Sequence, residues 1–411
     1  MDQKLYADAT AIIRASINAV KPDEAVSRAL SGQVFPGRVV LVAAGKAAWQ
    51  MAKAAYDCLG SRIDAGVIVT KYEHDMGPIG NFLCCEAGHP VPDENSFAGT
   101  QKALDLVSGL TENDTVLFLL SGGGSALFEK PLIPGAELQD ITNQLLACGA
   151  DIVEINTIRK RLSAVKGGKF AQHCAPAHVY SIVLSDILGD PLDMIASGPA
   201  CADSTTCEQA VAIANKYNLL LSDEARKLLS VETPKELGNV TTKITGSVRE
   251  LCSAAAKACN ELGYEPFLLT DMLSCQAKEA GSFLASILKT HAGSGKRLAF
   301  LAGGETVVHL TGKGKGGRNQ ELALSAAIGI DGIPGAAVFS VGSDGTDGPT
   351  DAAGGYVDYE TAATLRAQGI DIFTFLKNND AYNALSQCDG LIITGPTGTN
   401  VNDIAVALLN A

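Results

Sequence analysis

The sequence predicts an α/β protein of more than one domain, with mostly parallel strands and helices covering both faces of each sheet. Three observations carry this. Short runs rich in Val, Ile and Leu are almost continuously apolar, as strands buried on both faces are. Longer segments of helical periodicity lie between them. The chain has 411 residues, and at roughly 150 residues per domain that is two to three domains.

In order, the strand segments are 38–44, 65–70, 115–121, 179–186, 266–270, 297–303, 306–311 (TVVHLT), 336–342 and 391–395. The helical segments are 5–19, 47–59, 97–109, 137–149, 151–165, 204–214, 247–262, 275–290, 318–330 and a closing helix at 400–410. The stretch 228–243 (LLSVETPKELGNVTTK) is polar, aperiodic and broken by Pro234 and Gly238. It predicts a boundary, dividing the chain into domains 1–235 and 236–411.

Composition narrows the function. Thirty-two basic against 45 acidic residues give a net charge of −13. A nucleic-acid partner needs clustered positive charge, and an anionic membrane surface is equally disfavoured. An anionic substrate must therefore be held by a few local cations. Eleven cysteines without a CxxC pair predict free thiols in a reducing compartment. No basic, apolar leader and no run of 18 apolar residues is present, so a cytoplasmic location is expected.

In open α/β sheets, ligands bind beyond the carboxyl ends of the strands. After the first strand come Gly45-Lys46 and an amphipathic helix, an anion-binding arrangement that fails the Walker A pattern at Val40 and Ala47. After 115–121 comes Ser121-Gly122-Gly123-Gly124-Ser125, whose successive N–H groups can wrap a carboxylate or phosphate. Residues 159–169 hold five cations, Arg159, Lys160, Arg161, Lys166 and Lys169, and read as a phosphate-facing element or a solvated helix face. Asp186 and Asp190 follow the next strand among Gly and Pro, a setting that suits Mg²⁺ or simple turn formation.

Glu305 lies in Gly303-Gly304-Glu305-Thr306. Beyond it, Gly312, Gly314, Gly316 and Gly317, with Lys313, Lys315 and Arg318, precede a helix and predict a polyphosphate cradle. The same string matches GxGxxG, but no acid ends the next strand to hold a ribose. Asp344, Asp347 and Asp351 sit in a Gly/Pro-rich loop without EF-hand spacing. His89, in a Pro-rich turn, reads first as structural. Anion cradles, several cations and two carboxylate clusters together suit phosphoryl transfer, where catalysis is mostly positioning and charge neutralisation.

The motifs GKAAWQMA, GHPVPDENS, FLLSGGGSAL, NTIRKRLSAVKGGK, LSDILGDPLDMIASGP, LAGGETVVHLTGKGKGGRNQE, VGSDGTDGPTDAAGG and GPTGTNVND resemble the glycerate 2-kinase family with a C-terminal MOFRL domain. The resemblance runs from about residue 5 to the end. It implies a Rossmann-like, mostly parallel first domain, a smaller mixed-sheet MOFRL domain and an active site in the cleft between them. It implies transfer from ATP to the 2-hydroxyl of D-glycerate with Mg²⁺, and a homodimer is compatible with it. The family's proposed active-site residues fall on Lys46 and Arg318.

On that reading, Lys46 and Ser121–Ser125 hold the glycerate carboxylate or the moving phosphoryl group. Arg159, Lys166 and Glu305 join the substrate- and phosphate-binding residues, and the 312–317 loop takes the ATP phosphates. Arg318 neutralises the γ-phosphoryl oxygens, Asp186 and Asp190 hold Mg²⁺, and Asp344 or Asp347 orients the hydroxyl. Hydroxypyruvate reduction with NAD(P)H and non-catalytic nucleotide sensing are the alternatives.

Overall fold

A computed structural model describes residues 1–410. The chain forms two compact units. One is Pro22–Thr245; the other joins Met1–Lys21 to the chain from Gly246 onward.

The first unit is built on strands β1 (Val39–Ala44), β2 (Ile63–Lys71), β3 (Leu83–Ala87), β4 (Thr115–Leu120), β5 (His178–Leu184) and β6 (Val240–Gly246), in the order β3-β2-β1-β4-β5-β6. Neighbours from β3 to β5 pair in parallel. Every residue of β1 and β4 is buried. Val40, Val42, Val116 and Phe118 pack on one face, and Val39, Leu41, Leu117 and Leu119 on the other. Alternation between two covered faces explains the unbroken apolar runs. The chain leaves β1 toward β2 on one side and reaches β4 on the other, so the strand order reverses there. That reversal places a crevice at the ends of β1 and β4. A satellite cluster is formed by helices Gly135–Ala147, Ile152–Leu162, Cys207–Lys216 and Asp223–Leu229.

The second unit contains β7 (Glu265–Leu273), β8 (Leu298–Gly304), β9 (Ala336–Gly342), β10 (Gly354–Asp358), β11 (Leu391–Ile392) and β12 (Asp403–Leu409), ordered β11-β10-β9-β12-β8-β7. β7 and β8 are parallel, while β12 runs antiparallel between β8 and β9, giving a mixed sheet. Helices Ala277–His291 and Arg318–Ile330 pack together in its core.

Several elements differ from the sequence reading. The closing segment 400–410 is the central strand β12, not a helix. IAVALL is buried on both faces, and a short continuous apolar run has no period to tell the two apart. Segment 306–311 is not a strand: Val307 makes one isolated bridge with Gln276, and Val307 and Leu310 are exposed. Only Leu391–Ile392 of segment 391–395 pairs in the sheet. Strands β3, β6 and β10 were not expected.

The domain division also differs. The compact units part at Thr245/Gly246, not 235/236, because β6 extends the first sheet through the stretch read as a linker. The first 21 residues belong with the C-terminal unit. Helix Gln3–Ala19 buries Leu5, Ile12 and Ile17 there. Asp8 accepts from Tyr264 Oη at 2.7 Å and pairs with Arg297 at 3.2 Å. The cysteines are free, Cys58 and Cys148 exposed and Cys174, Cys252 and Cys259 buried. Among the described residues no helix is long and apolar enough to cross a membrane.

Candidate active site

In the Pro22–Thr245 unit, register brings the predicted loops together. Ala44 of β1 pairs with Leu120 of β4, so Gly45-Lys46 and Ser121-Gly122 leave the sheet side by side. Lys46 N–H donates to Gly122 O at 2.9 Å, and Thr70 Oγ1 donates to Gly45 O at 3.1 Å. Gly45 has φ +125°, and a Cβ there would stand 2.2 Å from Ser121 Oγ, so only glycine serves. Ser121, expected to bind substrate, is buried instead. Its Oγ accepts the Ala47 N–H at 3.0 Å, fastening one loop to the other just before the helix Ala48–Leu59.

Gly123 faces Lys46 and His89. A Cβ at Gly123 would stand 3.1 Å from Lys46 Cε and 3.1 Å from His89 Nε2. His89, read first as structural, is therefore part of this group; it sits just beyond β3, a strand the sequence did not reveal. Burial and the charges of Lys46, Lys71 and His74 hold its pKa below the usual histidine range. Asp186, beyond β5, comes beside Gly122, where a Cβ would stand 2.3 Å from its Oδ2. Asp190 adopts φ +52°, and its Oδ1 is buried without a hydrogen-bond donor. A carboxylate oxygen shielded from water and left without a donor fits a divalent cation, and Asp190 meets that condition.

The basic segment is not the phosphate-facing element expected. Four of its five cations are spent inside the fold. Lys160 pairs with Asp203 at 3.0 Å, and Arg161 with Asp203 at 3.6 Å and Glu232 at 3.6 Å. Lys169 Nζ donates to the carbonyls of Lys160, Arg161 and Ser163, closing the helix Ile152–Leu162. Lys166 is fully buried and donates to Ser125 O at 2.8 Å and Phe128 O at 3.2 Å. It braces the glycine turn from behind instead of meeting a ligand. Arg159 stays partly exposed and donates to Ser125 O at 3.0 Å. Ser125 Oγ lies 3.4 Å from Ser197 Oγ, which donates to Asn156 Oδ1 at 2.9 Å.

In the other unit, β12 decides the geometry. Asp403, its first residue, pairs with Gly304 of β8 and Gly342 of β9, so three chain ends meet. Arg318 opens the helix Arg318–Ile330. Its Nε and Nη2 donate to Asp403 at 2.5 and 3.0 Å, and Nη1 donates to Glu305 at 2.7 Å. Burial opposes the charge on Arg318, but Asp403 and Glu305 hold its pKa above the usual range. A Cβ at Gly342 would lie 3.3 Å from Asp344 Oδ1 and 3.4 Å from Asp403 Oδ1, so Asp344 joins the group. Asp403 was visible in the sequence only as part of a supposed helix start.

Asp347 lies apart in function. Buried, it accepts the N–H groups of Asn319 at 3.1 Å and Gln320 at 2.9 Å, filling the helix N-terminus that the sequence offered to a phosphate. Burial pushes its pKa up to about 6 despite those bonds. It is a helix cap and does not orient a hydroxyl. The polyphosphate cradle is likewise revised. The N–H groups of Thr311 and Gly312 go to Asn379 Oδ1, that of Gly314 to Asn378 O and that of Lys315 to Asp380 Oδ1. Gly312 and Gly314 let the loop lie against Asn378–Asp380; a Cβ at either would stand 2.3 to 2.4 Å from that segment. Gly316 packs on Ala381, and Gly317 packs on Asp347.

Comparison with known proteins agrees with this architecture. A family model described as a domain of unknown function (DUF4147) matches residues 8–230, and the MOFRL family model matches residues 298–403. The chain is 54% identical to a D-glycerate 2-kinase of Thermotoga maritima, covering 97% of each. It is 42% identical to a glycerate 2-kinase of Pyrococcus horikoshii, over 97% of this chain and 93% of that one. A crystal structure of glycerate kinase from Thermotoga maritima superposes with a TM-score of 0.94 at 53% identity, over 99% of this chain and all of the other. With two α/β units, the eight ordered motifs and near full-length likeness at this identity, the chain belongs to the glycerate 2-kinase family.

Proposed function

We propose that this chain transfers the γ-phosphoryl group of ATP to the 2-hydroxyl of D-glycerate, giving 2-phosphoglycerate and ADP. The observation that carries the reading is the 54% identity, over 97% of each chain, to a D-glycerate 2-kinase. Free cysteines throughout fit work in the reducing cytoplasm.

The residues divide the chemistry as follows. Lys46 and the backbone N–H groups of Gly122 and Gly123 hold the glycerate carboxylate, with His89 neutral beside them, while the Gly124 N–H closes the turn on Ser121 O at 3.3 Å. Asp403 fixes the plane of the Arg318 guanidinium through two bonds. Glu305, the more exposed partner, is the one an incoming phosphoryl oxygen displaces, so Arg318 meets the developing charge already oriented. Asp344 accepts a hydrogen bond from the glycerate hydroxyl and aims it. Asp186 and Asp190 would hold Mg²⁺, which would supply charge neutralisation at the phosphate oxygens.

Glycerate, ATP and Mg²⁺ should yield ADP and a phosphate ester at carbon 2, identified by ³¹P and ¹H NMR. Oxidation of NAD(P)H by hydroxypyruvate without ADP formation in the first assay would reverse the assignment. The packing of Gly312–Gly314 on Asn378–Asp380 argues against a dinucleotide loop there. Lys46→Ala and Arg318→Ala should each lower kcat/KM by roughly 10²-fold, if each supplies about 3 kcal/mol to the transition state. Near-normal turnover removes that residue from the mechanism.

A further inference from the structure

Behind the Ser121–Ser125 turn lies a charge arrangement that phosphoryl transfer does not itself use. Glu129 is fully buried, and neither of its carboxylate oxygens receives a hydrogen bond. Its Oε2 lies 3.5 Å from Lys166 Nζ and 3.8 Å from Arg159 Nη2. Both cations direct a hydrogen bond to the same acceptor, the carbonyl of Ser125. A carboxylate stripped of water and of donors is costly to keep. Its compensation here is the opposite charge of its neighbours: it is the counter-ion of the two groups that grip the end of the glycine turn. Burial already pulls the Lys166 pKa down to about 8 against the attraction of Glu129. Without that attraction, Lys166 loses its proton more readily and its grip weakens.

We propose that Glu129 is a positioning residue for substrate binding: it seats Lys166 and Arg159 on Ser125 O and thereby aims the Gly122 and Gly123 N–H groups at the carboxylate of glycerate. This rests on the reading of the turn as the glycerate cradle. Glu129 touches no substrate, so its effect falls on the turn's affinity for that anion.

The test compares the full chain with Glu129→Gln, the double variant Glu129→Gln/Lys166→Met, and Lys46→Ala. Thermal melting, kcat and both KM values are measured for each. Glu129→Gln leaves the buried Lys166 and the half-buried Arg159 uncompensated, so it is expected to melt earlier. The double variant keeps the net charge of the natural group, so it recovers melting temperature and carries the test if the single variant folds poorly. The expected result is a glycerate KM raised roughly tenfold or more in both Glu129 variants, with the KM for ATP unchanged. A double variant with natural melting and natural glycerate KM would show that Glu129 only stabilises the fold, and the proposal falls. A rise confined to the KM for ATP overturns it equally. Full activity in Lys46→Ala would instead sink the cradle reading itself, whereas loss there with intact Glu129 variants sinks only the positioning role.

Discussion

Lys46 and His89 stand against the same glycine, and their proximity has a measurable electrical consequence. Burial is the larger cause of the depressed His89 pKa, and the Lys46 charge adds to it. Lys46→Ala removes a like charge, so the His89 imidazole should titrate at higher pH, read by ¹H–¹³C NMR of the ring. An unmoved titration would mean that the two groups do not share an electrostatic environment. The signs also give a stability statement. A histidine with a depressed folded pKa favours unfolding as pH falls through about 6.5, where the unfolded chain takes up the proton. Lys46→Ala should reduce that acid sensitivity. Lys46 and Arg318 were legible in the sequence because each stands next to glycine at a helix start. Lys160, Arg161, Lys166 and Lys169 were misread because a lysine or arginine carries no local mark of burial. Their partners, Asp203, Glu232 and Glu129, lie up to 71 positions along the chain. Glu129 has no motif at all.

At the scale of elements, the glycine-rich approach to the helix Arg318–Ile330 shows how one pattern serves two purposes. Glycines that admit a phosphate also admit another stretch of chain, and here Asn378–Asp380 and Asp347 take that space. Gly317 is the tightest case: a Cβ would stand 2.2 Å from Asp347 Cγ. Its φ of −137° is ordinary, so any effect of substitution is steric rather than conformational. Gly317→Ala should cost about 1 to 3 kcal/mol, as overpacking does, and lower the urea midpoint. It should also lower turnover, because the displaced Asp347 caps the helix that begins with Arg318. An unchanged midpoint would show that the Asp347 loop yields freely. The same limit explains β12. Its apolar run was legible, but whether it coils or extends depended on β8 and β9 standing on either side.

For the molecule as a whole, the finding with most consequence is that the first helix belongs to the C-terminal unit. Leu5, Ile12 and Ile17 are buried there, each worth about 1.5 to 3 kcal/mol. The ring pair Tyr6–Tyr356 and the Asp2 N–H to Asp358 bond add to it. A chain lacking residues 1–19 should lose hydrogen-exchange protection in Val248–Glu261 and Gly354–Asp358 while keeping it in β1 and β4. Loss in β1 and β4 instead, or no loss, would contradict that allegiance.

The sequence alone determined the α/β class, the strand-end loops and the two cationic residues proposed to act. Apolar periodicity, glycine and helix-start chemistry are local properties, written within a few neighbouring residues. Only the tertiary structure decided which cations are buried, which carboxylates pair with them, where the units divide and that the last segment is a strand. Those outcomes depend on residues far apart in the chain competing for the same space and the same charge, and no short window of sequence contains both competitors.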